Sequence, residues 1–445
     1  MAELEKGSKK LLHAWAFYDW ANSVYPLVVS SAVFPIFYGA LTIVKNEKTG
    51  EIINDTVTFL GYNFNNDSLI SYVTAFSFLI VSFMSPLLSG ISDYVGNKEG
   101  FMKFFCYLGS LSCIGLYWFD LDNLLFGMLC YMFALVGFWG SLVFYNSYLP
   151  DIAYPEQQDK VSAKGFSLGY IGSVILLVVN LIMILKYDWF GFDSEGQPTR
   201  IAFIMVGLWW MLFAQYTFKY LPTSTHSGHK VTKKVIMHGY NELNKIWKAL
   251  KHQVPLKRYL RAFFVYSMAV QTIMIAATYF AVEELDWRGQ DSTTGLIISI
   301  LLIQLIAIVG AHYTAKLSEK LGNIKTLIII IFLWIIICAY AFFVFTPFQF
   351  YIAAGCVGLV MGGIQALSRS TYSKLIPEDT EDTASYFSFY DVAEKLGIVI
   401  GMFLYGYVAG ITGSMRYSIL FLITFFIIGV ILLFRMPKNS FSDSK

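Results

Sequence analysis

Four apolar stretches of this sequence carry polar or charged residues at spacings that put them on one helical face. Asp19, Asn22, Ser23, Pro26 and Ser30 form the first stripe. Ser267, Gln271 and Thr278 form the second; Gly355, Gly358, Gly362, Gln365 and Arg369 the third; Ser388, Asp391 and Lys395 the fourth. Tyr145 and Asn146 close a further apolar run. An ionisable side chain at mid-bilayer costs about 2.5–3.5 kcal/mol, so such residues should face protein or water. Carboxylates, amides, a guanidinium and an ammonium along such a path can hold a polar solute or carry a proton. A purely structural chemistry competes with this. Asp19 can be half of a buried ion pair, with Arg369 as its electrostatic partner, and both readings stand. Asp391 and Lys395 are four apart and can neutralise each other. Glu394 adds an acid with no evident partner. The glycines of the third stripe suit close helix packing.

The elements that must position these residues are membrane spans. The chain has 445 residues, of which 56% are hydrophobic and only 14% charged. A soluble protein would carry about 25% charged residues. Twelve segments reach the length of about 20 residues that a spanning helix needs: 14–42, 69–91, 102–119, 123–148, 165–186, 201–221, 259–281, 294–316, 326–345, 349–368, 384–409 and 417–435. Runs such as "ILLIQLIAIVG" do not alternate as barrel strands would. The expected fold class is therefore an all-α membrane protein.

Placing both termini in the cytoplasm puts 25 of the 32 Lys and Arg residues in or beside inner segments and six beside outer loops, with Lys395 inside a span. This asymmetry sets the expected orientation. It leaves 43–68 outside and 222–258 inside. The latter carries Lys230, Lys233, Lys234, Lys245, Lys248, Lys251, Lys257 and Arg258 against Glu242 alone, with apolar residues at helical spacing. It reads as a basic amphipathic helix on the membrane surface, tethering a first half, 1–221, to a second, 259–445. The small net charge of +2 gives no reason to expect nucleic acid. The five cysteines are isolated in apolar runs and read as buried hydrophobes, so no metal and no cofactor is expected.

Two halves should leave echoes of each other. "AFYDWANS" (16–23) echoes "FVYSMAVQT" (264–272), "SGISDYVGNK" (89–98) echoes "AKLSEKLGNIK" (315–325), and "NSYLPDI" (146–152) echoes "SKLIPED" (373–379). The second echo resembles the short inner-loop signature of the major facilitator superfamily. Asp93, Gly96 and Lys98 match it, with Ser89 and Asn97 where a glycine and a base are usual; Glu319 and Gly322 are the counterparts in the second half. An acid there can hold a base or a helix N-terminus across the two halves and release it on inward opening.

"FYDWANSVY" (17–25), "VFYNSYLPDI" (143–152) with "VSAKGFSLGYIGS" (161–173), "RIAFIMVGLWWMLF" (200–213) and "GGIQALSRSTYSKLIPED" (362–379) resemble the vacuolar amino-acid effluxer, autophagy-related branch of that superfamily. The resemblance implies the major facilitator fold, twelve transmembrane helices in two pseudo-symmetric six-helix halves. It implies a secondary active transporter for a small polar solute, with amino acids and a coupled proton as candidates, embedded in lipid and functional as a monomer. The host membrane would be the cell membrane of a bacterium or the vacuolar membrane of a fungus. Spans one, four, seven and ten are then the expected cavity walls. A membrane enzyme and a non-transporting sensor are the competing classes. No G-x-x-x-x-G-K-[ST] and no H-E-x-x-H occurs.

Overall fold

The structure, a computed structural model, describes residues 4–45, 52–223, 235–287, 289 and 291–437. Twelve helices are long and apolar enough to cross a membrane: Lys9–Thr42, Ser68–Val95, Lys98–Trp118, Leu124–Ile152, Pro155–Leu185, Gly196–Tyr220, Val254–Glu284, Ser292–Leu321, Asn323–Ala341, Pro347–Leu375, Thr383–Thr412 and Met415–Phe434, here spans 1 to 12. Large apolar side chains such as Phe83, Phe403 and Phe434 point outward from the bundle. In water such a surface would be untenable, and hydrocarbon is the solvent that suits it. The chain is an all-α membrane protein.

Several spans outrun their apolar cores. Span 1 starts at Lys9, five residues before the expected start, so Asp19 stands ten residues, about 15 Å, from its beginning rather than the six residues the apolar run suggested. Span 10 continues to Leu375, six residues past Arg369. Polar residues shielded by neighbouring helices extend a helix without adding hydropathy. Span 1 is also irregular: Tyr25–Val33 is π-helical before Phe34–Thr42 resumes α-helix. Pro26, inside this stretch, and Pro35, just beyond it, each lack an N–H, and the Ser31 hydroxyl donates to the Pro26 carbonyl at 2.8 Å.

The segment 43–68 folds into two small hairpins that composition did not reveal: Val44–Lys45 with Ile52–Asn54, and Thr56–Phe59 with Tyr62–Asn65. The second turns through Leu60 and Gly61, both at positive φ (50° and 83°), as a two-residue hairpin turn requires. Asp291, between spans 7 and 8, caps span 8. The Thr294 hydroxyl and N–H and the Thr293 N–H donate to it and hold its carboxyl below the usual range.

One apolar core draws its buried residues from Leu11 to Leu221, joined by Ala384; a second runs from Ile246 to Met436, joined by Tyr170. The two share a device. Arg200, at the start of span 6, donates to the carbonyls of Tyr117 and Phe119 where span 3 ends. Arg416, at the start of span 12, donates to the Phe342 carbonyl where span 9 ends. Each satisfies helix-end carbonyls that would otherwise be orphaned near the membrane. A helix, Val235–His252, packs on span 2 and the start of span 11, where Trp247 meets Phe389 and Lys245 pairs with Asp382 at 3.0 Å. Lys230, Lys233 and Lys234 lie outside the described residues.

Candidate functional site

At the centre of the bundle Asp19 and Arg369 meet at 3.2 Å, with side-chain exposures of 6% and 4%. Span 1 supplies the carboxylate and span 10 the guanidinium, so the pair joins the first six spans to the last six. The Tyr145 hydroxyl donates to the same Asp19 oxygen at 3.0 Å. Arg369 Nε donates to Ser162 Oγ (2.9 Å), Nη1 to Asn146 Oδ1 (3.2 Å), and Nη2 also to the Ser162 carbonyl (3.0 Å). Trp15, Tyr145 and Phe166 surround the guanidinium carbon at 4.8, 5.4 and 4.3 Å. A buried ion pair gains little over an apolar replacement, but losing one partner strands the other charge. Such a pair suits a contact that must be firm in one state and hydrated in another.

Close approach of spans 1 and 5 makes this geometry possible. A Cβ at Gly165 would collide with Asp19 Oδ2 and crowd Arg369 Nη2 and the Tyr145 hydroxyl, at 3.1 and 3.2 Å. Gly169 and Gly172 press in the same way on the Asp19 and Trp20 carbonyls. Small residues let two backbones meet in lipid, where apolar burial drives nothing. A seam of Ala163, Ala311, Ala315 and Ala366 brings spans 5, 8 and 10 together beside it.

Between this pair and the end of the bundle that carries both termini, a second layer of polar contacts joins the two sets of spans. Asp159, five percent exposed on span 5, accepts from Lys374 (2.7 Å), Ser318 (3.0 Å) and Asn323 (2.8 Å), all from the later set. On the other flank Asp93 accepts from the backbone N–H of Ser385 at 2.7 Å, capping the start of span 11 across the boundary. Lys98 donates to Asp151 at 2.8 Å and to Thr383. Gly96 and Gly322 turn at φ 69° and 82°, values that favour glycine.

Asp93 thus reaches the helix N-terminus its position suggested. Its expected counterpart does not: Glu319 is exposed and, among the described residues, forms no ion pair. Ser318 and Asn323, flanking it, face span 5 instead, and Asp159 brings the carboxylate from the opposite partner. A helix-end register decides which neighbour points across the boundary, and sequence spacing alone does not.

The fourth stripe lies apart from the Asp19–Arg369 pair. Lys395, fully buried, contacts Asp391, approaches Glu394 at 3.4 Å, and sits 3.7 Å above the Trp139 ring of span 4. Gln271 donates to Glu394 at 2.7 Å. Gln365 accepts from Tyr170 at 2.8 Å, another contact between the two sets. Asn22 is buried beside Ser23, whose hydroxyl is 3.4 Å from its carbonyl oxygen. The stripes therefore gather into two charged groups rather than one lined wall. Ser162, Gly165, Asp159, Lys374 and Trp139 escaped the search for polar stripes. Ser162 and Gly165 lie within "VSAKGFSLGYIGS", where the signal available was a run of small residues. No group of three His, Cys, Asp or Glu suited to a metal occurs among the described residues.

Asp93→Asn should loosen the closed end. A charge-assisted bond to a backbone N–H is worth about 1.5–3 kcal/mol, and an amide oxygen replaces only part of it. Distance measurements between probes on spans 2 and 11 at this end should shift toward longer separations. An unchanged distribution would reduce Asp93 to an ordinary helix-end acid.

The sequence profile described as "Vacuole effluxer Atg22 like" matches residues 7–441. YxiO, an MFS-type transporter of Bacillus subtilis (strain 168), is 30% identical over 437 residues, covering 97% of this chain and 96% of that protein. Autophagy-related protein 22 of Kluyveromyces lactis is 25% identical over 474 residues, covering 95% and 92%. Among solved structures, the major facilitator transporter FucP in the outward conformation superposes with a TM-score of 0.69 at 14% identity, covering 96% of this chain and 98% of that one. A bacterial homologue of the iron transporter ferroportin in its outward-facing state gives 0.62 at 12% identity, with the same coverage. At these identities the structures speak for the fold, and that fold is the major facilitator fold. With a profile match along almost its whole length, the chain belongs to the vacuole effluxer Atg22-like family of major facilitator superfamily transporters.

Proposed function

We propose that the protein is a secondary active transporter that moves a small polar solute, amino acids being the leading class, by rocking residues 1–221 against 259–445. The observation that carries this is the buried Asp19–Arg369 pair. It crosses the boundary between the two sets of spans, so alternating access must break it. The Asp159 and Asp93 contacts close the same end, which fits an outward-facing member of the cycle. Each chain holds both halves of the boundary, which supports function as a monomer. Purified protein in liposomes should accelerate exchange of at least one labelled amino acid over protein-free vesicles, and a pH gradient tests coupling to protons. Absence of exchange for every amino acid would exclude that substrate class.

The orientation follows from the basic residues. Both termini are placed in the cytoplasm, in a bacterial cell membrane or a fungal vacuolar membrane. Leu60, 69% exposed at its hairpin tip, then faces away from the cytoplasm, and Lys248, exposed on the connecting helix, faces it. With Cys356 replaced by Ser, an impermeant thiol reagent outside intact bacterial cells should label Leu60→Cys and spare Lys248→Cys. The opposite pattern would invert the topology.

A further inference from the structure

We infer that the later six spans hold a binding site for a small, uncharged lipophilic molecule carrying one hydrogen-bond acceptor. The site is a cavity of about 80 Å³ at the end away from the termini, walled by residues of spans 7 to 12 and the turn after span 9. None of its walls belongs to the Asp19–Arg369 pair or to the contacts that close the other end. The inference therefore does not rest on the transport reading.

The first half of the chain shows what this space holds when it is filled. Arg200 and Arg416 serve as markers, because each starts its span over a ring, Phe37 at 5.2 Å and Phe280 at 5.4 Å. One turn deeper from Phe37 stands Phe34, which stacks on Tyr131 at 4.5 Å and meets Phe119 at 5.6 Å and Phe203 at 6.2 Å. One turn deeper from Phe280 stands Ala277. Tyr131 lies seven residues after the first residue of span 4, and Ala354 seven after that of span 10. Phe119 follows Tyr117, whose carbonyl Arg200 takes, by two residues; Val344 follows Phe342, whose carbonyl Arg416 takes, by two. Phe203 is three residues past Arg200, as Ile419 is past Arg416. Four interlocked rings in one half thus stand where the other half has two alanines, a valine and an isoleucine. All four of those smaller residues line the cavity. Protein interiors pack densely, and an unfilled space of this kind costs stability.

The chemistry of the walls says what fills it. Tyr405 of span 11 lines the cavity, is only 4% exposed, and has a hydroxyl with no hydrogen-bond partner among the described residues. A buried donor left unpaired is costly, and an acceptor on a ligand relieves it. Water is a poor occupant. It needs two to four polar partners, and beyond Tyr405 the side chains around the space are apolar, apart from the weakly polar thiol of Cys338. A charged ligand is excluded as well. The nearest charges, Glu284 and Arg416, already pair with each other at 2.9 Å, and Glu284 also accepts from Ser414 and the Met415 N–H. What remains is an apolar body with one acceptor.

The test uses two probes with the same ring and the same number of heavy atoms, cyclohexanone and methylcyclohexane. Each is equilibrated into nanodiscs at the same mole fraction of lipid, and thermal unfolding of the protein is followed. A ligand that binds the folded state raises the midpoint. The wild type should show a rise with both, larger for the ketone. Ala354→Phe restores the ring that the first half carries and should abolish both rises. Tyr405→Phe keeps the ring and removes the donor, so it should lose the preference for the ketone while still responding to the hydrocarbon. If Ala354→Phe does not fold, Ala277→Leu fills the facing wall and should shrink both rises. No rise in the wild type, equal rises with the two probes, an undiminished response in the filled variant, or a ketone preference kept by Tyr405→Phe would overturn the inference.

Discussion

Asp19→Asn should open the end of the bundle that carries the termini. Removing one member of a buried pair costs about 3–5 kcal/mol, because the remaining charge is stranded. Here the stranded group is Arg369, held by Ser162 and Asn146 and walled by three aromatic rings. In a state open at this end, water solvates the guanidinium and the cost disappears. The penalty therefore falls on the closed state and should lower its population on the order of 10²–10⁴-fold relative to the open one. Spin labels at Glu156 and Glu378, both exposed beside this end, should report longer separations. The double variant Asp19→Asn/Arg369→Gln removes both charges and should recover much of the closed population. If Asp19→Asn folds and leaves the distances unchanged, the pair is not a lock. If the double variant also restores gradient-driven uptake, Asp19 has no part in solute or proton binding.

Lys374→Met should have the next largest effect, and through the same equilibrium. Asp159 would keep Ser318 and Asn323 but lose its only ion-pair partner among the described residues. Losing a hydrogen bond to a charged group costs about 1.5–3 kcal/mol, which corresponds to roughly a ten- to hundredfold shift toward the open state. The two substitutions act on one closed interface, so their effects should not add once that interface is already open. A combined shift equal to the sum, in protein that remains mostly closed, would mean that the two contacts act independently.

The sequence alone determined the spans, and it did so because hydrocarbon imposes a length and a composition on any helix that crosses it. It also marked Asp19, Arg369, Asp391 and Lys395, because a charge in an apolar run needs a partner or water. Asp93 was legible from its place at a helix end beside a turn glycine. Helix ends were less legible. Span 1 begins at Lys9 and span 10 runs on to Leu375 because packing shields polar residues that a hydropathy count rejects. Only the tertiary structure decided partnership. Arg369 meets Asp19 across 350 positions of chain, and no local spacing encodes that. Gly165 mattered because two helices touch there, and Glu319 yielded to Ser318 and Asn323 because helix rotation turned them, and not it, toward Asp159. The division of the polar stripes into a balanced pair and an unbalanced group has the same origin. Charge type is written residue by residue, but which charges cancel depends on distances of a few ångströms between helices that only the packed bundle sets.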